Sequence, residues 1–252
     1  MEKIQTGITE ILKVELEKFF GTKASQTLVL SKKEDHSIVT EIDHLVSKIA
    51  KEKLKAHPEF KTFIFYSEED YEKLEFPSII LDPIDGTIEL AKGRPECVVS
   101  LAVMHSSEIA DPKNFGWLYN PFSGFSLDSK CLFHSHLNRS SQQTLGLVSR
   151  SEWHKGYYRE LKNKNIVVVP RGSIAFKLGL LASGGCDFVV SKAPKNIWDI
   201  AAGTILLSQR GISFYCGGEL VTHLNQVRYD QTLLWCQDSL APELLAEFKN
   251  EK

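Results

Sequence analysis

The sequence predicts a layered α/β fold. Helix-spaced and strand-like apolar patterns are mixed along the whole chain, and several of these segments end or begin on acidic residues. No internal repeat, low-complexity segment or Pro/Ser-rich linker interrupts them. With 252 residues the chain is long enough to bury a full core without staples. A soft prior of about 150 residues per domain allows one large unit or two small ones.

The elements follow in order. Ile4, Ile8, Ile11, Leu12, Leu16 and Phe19 recur at helical spacing and predict a first helix ending near Gly21. Thr40 and Asp43 precede or open a second helix, whose apolar face is Ile42, Leu45, Val46, Ile49 and Leu54 and which stops before Pro58. Short β-rich runs then fall at Thr62–Tyr66, Ser78–Asp82, Val98–Met104 and Phe115–Tyr119. From Asn120 to about Ser141 the chain is polar and turn-rich. Leu145–Ser149 and Ile166–Val169 read as strands separated by a helix beginning near Trp153. Ser173 opens an apolar helix through Ala182, closed by Gly184-Gly185. A strand at Phe188–Val190 and a helix at Asp199–Gln209, stopped by Gly211, come next. Strands near Ile212–Tyr215 and Thr232–Trp235 lead to a last helix from about Pro242. This order suits two intimately packed subdomains, 1–140 and 141–252, in one compact unit.

Composition narrows the function classes. The net charge of -2 gives no overall basic field to draw the protein to a nucleic acid polymer or an anionic membrane. A bound phosphate must therefore be met by local donors or metal ions. The five cysteines are dispersed and form no C-x-x-C pair, which predicts reduced cysteines in a cytoplasmic protein rather than a disulfide framework or a zinc cluster. The N-terminal stretch has charges throughout and no apolar leader pattern, and no apolar run approaches the roughly 20 residues of a membrane span. There is no G-x-S-x-G elbow and no G-x-x-x-x-G-K-[ST] loop. His134-Ser135-His136 has metal-compatible spacing without an obvious third ligand and reads as a polar hairpin.

The sharpest feature is Ile79-Ile80-Leu81-Asp82-Pro83-Ile84-Asp85-Gly86-Thr87. A buried-type strand runs into Asp82, where Pro83, with a fixed φ and no N–H, is expected to end the ladder and set a turn. That turn can aim Asp82, Asp85 and the Ile84 carbonyl at one point, an all-oxygen set suited to Mg²⁺. Gly86 permits close approach of a ligand to the backbone, and Thr87 can cap a following short helix whose N–H groups bind phosphate. Asp-Gly is also an ordinary turn signal. Asp199, in Trp198-Asp199-Ile200-Ala201-Ala202-Gly203, is equally explained as a helix cap, and Glu41 and Asp43 share that ambiguity. Glu68, Glu69 and Asp70 follow a short strand, where the last two suit a solvated loop. Convergence favours a site, because active sites of α/β folds gather at such strand ends and helix starts.

Val39-Thr40-Glu41-Ile42-Asp43, Glu68-Glu69, Asp82-Pro83-Ile84-Asp85-Gly86-Thr87 and Trp198-Asp199-Ile200-Ala201-Ala202-Gly203 together resemble the inositol monophosphatase family, in the family's order and across most of the chain. The resemblance implies a layered αβαβα sandwich shared with fructose-1,6-bisphosphatase. It also implies two or three Mg²⁺ ions, lithium inhibition, a homodimer and a small phosphorylated metabolite as substrate. Carried over by residue, Glu68, Asp82 and the Ile84 carbonyl hold one metal, and Asp82, Asp85 and Asp199 hold another. Asp43, Glu68 and Thr87 serve catalysis by orienting or deprotonating water, and Asp85, Gly86 and Thr87 meet the phosphate. Two such ions about 3.5–4 Å apart can clamp the attacking and leaving oxygens of an in-line displacement. Lys32, Ser149, Arg171 and Ser173 match the substrate side of the pocket; Lys32, beside Lys33, is equally a solvated charge.

Three departures bear on substrate. Ser67 stands where the family usually has glycine, and the stretch between Tyr119 and Ser141 is short and lacks the usual glycine-rich text. Lys192 lies seven residues before Asp199, where inositol-specific members carry a glutamate that accepts hydrogen bonds from sugar hydroxyls. A lysine cannot accept them. With Lys195 it would instead meet a second anionic group, or both are exposed loop charges. Pro194-Lys195-Asn196-Ile197-Trp198-Asp199 also resembles the branch acting on 3′-phosphoadenosine 5′-phosphate. The readings are thus an inositol-monophosphatase-like phosphatase, a nucleotidase or fructose-1,6-bisphosphatase of the same superfamily, and a non-catalytic relative that binds an anion or metal.

Overall fold

The computed structural model describes residues 1, 5–7, 9–10, 13–14, 30–32, 38–68, 73–131 and 143–248. The described residues between 5 and 14 are helical, as their apolar spacing predicts; the end near Gly21 lies outside the described residues. A short antiparallel ladder of β1 (Leu30–Lys32) and β2 (Ile38–Thr40) feeds the first long helix, α1 (Glu41–Ala56).

The first sheet has the order β3 (Ile64–Ser67), β4 (Ser78–Asp85), β5 (Val98–Met104), β6 (Phe115–Tyr119) and β7 (Ser126–Asp128). The β3–β4 pair is parallel and the remaining pairs are antiparallel. Both faces are covered, which is why its central strands are nearly continuous apolar runs. On the outer face Ile79, Leu81, Val99 and Leu101 pack with Val46, Ala50 and Leu54 of α1. The alternate residues, Ile80, Val98 and Ala102, face a central layer of helices.

That central layer is α4 (Ile174–Ala182) and α5 (Ile197–Ser208). Two shorter helices precede it, α2 (Thr87–Ala91) and α3 (Arg150–His154). Gly203 lets α5 approach α4: a Cβ there would lie 2.6 Å from the Leu178 Cβ. The second sheet draws on β8 (Thr144–Ser149), β9 (Ile166–Arg171), β10 (Phe188–Ser191), β12 (Ser213–Cys216), β13 (Glu219–Leu220) and β15 (Leu233–Cys236). Their order across the sheet is β13-β12-β15-β10-β8-β9. Its outer face buries Val148, Phe188, Val190 and Leu234 against Leu244 and Phe248 of α6 (Ala241–Phe248). The succession is helix, sheet, helices, sheet, helix, the αβαβα sandwich expected.

Some details differ from the sequence reading. β4 does not stop at Pro83 but runs on to Asp85, with a shift of register against β5 between Asp82 and Asp85. The missing N–H of Pro83 is accommodated as a bulge rather than a strand end. α5 starts at Ile197, two residues early, and α3 is a single turn. A two-residue ladder of β11 (Lys195–Asn196) and β14 (Arg228–Tyr229) was not expected; tertiary pairing rather than local propensity sets it. Residue 140 falls in 132–142, outside the described residues, as do His134 and His136. Among the described residues no helix is long and apolar enough to cross a membrane.

Candidate active site

The bulge at Pro83 determines the site. After it the chain rejoins β5 at Asp85, opposite Val98, so both aspartates of the loop turn towards the start of α5. Ligand atoms of Asp82, Asp85 and Asp199 all lie within 4.8 Å of one another. Asp82 is 2% exposed, and its Oδ1 has no hydrogen-bond partner among the described residues. Asp85 is held from the second half of the chain: its Oδ2 accepts from Ser173 Oγ at 2.6 Å and from the Ala175 N–H at 2.5 Å. Asp199 accepts the Asn196 N–H on Oδ2 at 2.8 Å. One oxygen of Asp85 and one of Asp199 are thereby fixed, which orients the other. Asp199 is at once a helix-start acceptor and a member of the cluster, so the two readings open in the sequence are compatible.

Glu68 follows β3, beside β4, and lines the same cavity. Asp43, in the first turn of α1, is buried. Thr87 does not cap α2. Gly86 occupies that position with φ +100°, and Thr87 is the first helical residue. The Thr87 hydroxyl turns inward, donating to the Ile84 carbonyl at 2.9 Å and lying 3.5 Å from Asp43 Oδ1. Only glycine suits position 86: a Cβ would sit 2.8 Å from the Glu96 carbonyl oxygen, on a backbone side chains disfavour.

The electrostatics of the cluster are those of crowded, buried acids with Lys177 and Lys195 as the opposing charges. Burial, followed by repulsion from Asp85, Glu68, Asp199 and Asp43, raises the Asp82 carboxyl well above its usual range. Burial and then Asp85 push Asp199 up to about 7. Burial also raises Asp85, offset in part by Ser173, the Ala175 N–H and the charges of Lys177 and Lys195. Lys177, fully buried, donates to the Ser173 carbonyl at 2.9 Å and is lowered to about 8 by desolvation.

The cavity above these acids has a volume of about 740 Å³. Glu68, Asp82, Ile84, Asp85 and Asp199 form its floor, Gly86 and Thr87 its wall, and Lys92, Arg94, Ser149, Arg150 and Lys155 part of its rim. Of the remaining residues singled out in the sequence, Ser149 and Ser173 line it, with Ser149 Oγ 2.9 Å from Ser151 Oγ. Arg171 and Lys192 do not line it. Arg171 Nε lies 3.9 Å from Glu96 Oε1. Lys192 Nζ lies 3.5 Å from the Tyr157 carbonyl and 5.6 Å from the centroid of the Tyr158 ring. Lys32 ends β1, and its side chain lies outside the described residues.

Three structural carboxylates escaped the sequence reading. Glu89 and Glu96 both meet Arg150. Glu152 is buried, accepting from Ser191 Oγ at 2.7 Å and the Ala193 N–H at 2.9 Å on one oxygen, and from the Tyr158 hydroxyl and the Lys192 N–H on the other. Apart from Arg94, five residues from Glu89, and Tyr158, six from Glu152, their side-chain partners are distant in sequence, and no local pattern marks them.

A hard divalent cation fits the floor. The donors are all oxygens, one of them buried and unpartnered, and their mutual repulsion is relieved by positive charge. Among characterised proteins, the chain is 28% identical to a Thermotoga maritima protein named fructose-1,6-bisphosphatase/inositol-1-monophosphatase, over 52% of this chain and 54% of that one, so the match spans about half of that relative. It is 28% identical to the 3'(2'),5'-bisphosphate nucleotidase CysQ of Aggregatibacter actinomycetemcomitans, over 74% of each. The solved structure of a Thermotoga maritima IMPase superposes with a TM-score of 0.76 at 21% identity, covering 98% of this chain and 97% of that one. The inositol monophosphatase family model matches residues 1–250. With the αβαβα sandwich and the acid cluster in place, the chain belongs to the inositol monophosphatase family, a family of metal-dependent phosphatases.

Proposed function

We propose that the protein is a Mg²⁺-dependent phosphomonoesterase acting on a small phosphorylated metabolite. The observation that carries this reading is the meeting of Asp82, Asp85 and Asp199 within 4.8 Å while Asp82 Oδ1 has no partner among the described residues. Glu68, Asp82 and the Ile84 carbonyl would hold one ion, and Asp82, Asp85 and Asp199 another. Bound there, Mg²⁺ supplies Lewis acidity to phosphate and water.

The chain's own groups do the rest. Thr87 and Asp43 would form a proton path once the Thr87 hydroxyl turns from the Ile84 carbonyl to Asp43 Oδ1: a water against Thr87 Oγ1 would give its proton towards Asp43 through the threonine hydroxyl. The Thr87 and Ile88 N–H groups that open α2 suit phosphate oxygens, whereas the Glu89 N–H donates to the Gly86 carbonyl. Ser173 and Ala175 keep Asp85 from rotating away. No covalent nucleophile is needed.

A nucleotidase or bisphosphatase is the second reading, supported by the names of the two relatives. A non-catalytic relative is disfavoured, because a degenerate site should have lost one of these acids. A cytoplasmic homodimer belongs to the same proposal. The test is phosphate release from inositol 1-phosphate, fructose 1,6-bisphosphate and 3′-phosphoadenosine 5′-phosphate, with Mg²⁺ and with or without lithium. Mg²⁺-dependent, lithium-sensitive release is expected. No release from folded protein would overturn the enzymatic reading.

A further inference from the structure

We propose that Lys177, buried beneath the floor, is a positioning residue: its ammonium holds the turn 171–173, and through that turn the grip of Ser173 and Ala175 on Asp85, so that the site is set for a divalent cation before one binds. The inference rests on the phosphatase reading only for what Asp85 is held to do.

Lys177 lies one turn into α4 and is 2% exposed. A buried ammonium is costly unless it is paired or well hydrogen-bonded. Lys177 has no carboxylate within ion-pair distance among the described residues. Its Nζ donates instead to two main-chain carbonyls, Ser173 at 2.9 Å and Arg171 at 3.4 Å. Both belong to the turn that carries the chain from the end of β9 into α4.

That turn needs holding. Ser173 has φ +51° and is the one non-glycine residue with positive φ among the described residues. A serine keeps such a backbone only where its surroundings over-determine it. Here they do. Ser173 Oγ donates to Asp85 Oδ2 and accepts the Phe176 N–H at 2.9 Å, while the Ser173 carbonyl takes the Lys177 ammonium. The preceding Gly172 N–H is held by Glu96. Two residues after Ser173, the Ala175 N–H reaches the same oxygen of Asp85. Without the ammonium, Ser173 is free to relax towards negative φ, and both donors then swing away from Asp85.

The ammonium is also a charge, and for a cation its two roles are opposed. A fixed positive charge near the floor repels Mg²⁺, whereas held donors keep the other oxygen of Asp85 aimed at it. The bonds outweigh the charge. Against the burial that raises Asp85, Ser173 and the Ala175 N–H each act more strongly than the Lys177 charge. Removing Lys177 should therefore weaken metal binding, whereas removing a purely electrostatic lysine would tighten it.

The test uses the full chain stripped of metal, with no substrate present. In calorimetric titration with Mg²⁺, Lys177→Met should bind about 10-fold more weakly than wild type, as for other losses of a group that orients a metal ligand. Unchanged or tighter binding would overturn the proposal. Combined with Ser173→Ala, Lys177→Met should be no more than about twofold weaker than Lys177→Met alone, because both act on one contact. Losses that multiply would mean that Lys177 does not act through Ser173. Hydrogen exchange in the metal-free protein gives a local readout. The Ala175 N–H should exchange about 10-fold faster in Lys177→Met while Leu181, further along α4, is unchanged. Equal acceleration at both would make Lys177 a support of the helix and not of Asp85. Should Lys177→Met fail to fold, Lys177→Gln, neutral but still an N–H donor, takes its place: about threefold weaker binding is expected, and unchanged or tighter binding rejects the clamp. If wild type binds no Mg²⁺, the phosphatase reading fails separately. Exchange at Ala175 then decides alone, faster in the variant if the clamp exists and unchanged if it does not.

Discussion

The floor and the rim of the cavity are both rich in carboxylates, and they are built on opposite principles. On the floor Asp82, Asp85 and Asp199 crowd together; burial raises all three, and repulsion from neighbouring acids adds to it at Asp82 and Asp199. On and beneath the rim, Glu89, Glu96 and Glu152 each have partners. Glu96 is even lowered: burial opposes its charge, but the Gly172 N–H and Arg150 outweigh that cost. A satisfied carboxylate holds structure, whereas a crowded, partly unpartnered one stores affinity for a cation. The floor is therefore expected to respond to metal and pH, and the rim to respond to substrate and packing.

The comparison breaks most visibly at Asp85. Asp85→Asn should lower Mg²⁺-dependent kcat on the order of 10³-fold, as for other losses of transition-state charge stabilisation. The fold should survive, because the amide oxygen can still accept from Ser173 and Ala175 and a repulsive charge is gone. Melting at or above the wild-type temperature in metal-free buffer, together with the kinetic loss, would fit a floor residue. Wild-type-like turnover would end the two-metal assignment.

Glu152 is the corresponding test beneath the rim. It links α3, which carries Arg150, to the segment 191–193. Glu152→Ala leaves the Tyr158 hydroxyl and two backbone N–H groups without their acceptor and Ser191 Oγ with only the Ala193 carbonyl, at a cost of about 3 kcal/mol in stability. Urea unfolding would measure it, and a cost that vanished on adding Mg²⁺ would contradict the separation of rim from floor.

A smaller effect should appear in the pH dependence of metal-free protein. An acid whose folded pKa is raised keeps its proton in the folded state after the unfolded chain has released it. Stability then falls as pH rises. For Asp199 the window runs from the ordinary aspartate pKa of 3.8 to about 7, and Asp82 and Asp85 shift in the same direction. Melting in a chelator should drop by about 5 °C from pH 4.5 to 7, with Mg²⁺ restoring most of it. A rise over that range would mean that the floor is not electrostatically strained.

The two regions also differ in how legible they are from sequence. The floor is written locally: Asp82 and Asp85 share one loop, and Asp199 stands at a helix start with a specific string around it. Even there Pro83 misleads, because only the pairing partner β5 distinguishes a strand end from a bulge. The rim is written in pairs. Arg150 and Glu96 are 54 residues apart, and neither lies in a pattern that anticipates the other. Glu89 reads as an exposed helical acid until Arg94 and Arg150 are placed beside it.

Lys192 sharpens the same lesson from the other side. Its spacing from Asp199 suggests a reader of a second anion, yet its Nζ is placed at the Tyr157 carbonyl and over the Tyr158 ring rather than in the cavity. Lys192→Met should therefore change the ratio of kcat/KM for bisphosphate and monophosphate by less than about twofold, within the range of a surface charge. The lost cation–π contact should lower stability by about 0.5 kcal/mol. A selective loss on bisphosphates in Lys192→Met would return the specificity role to the position suggested by sequence.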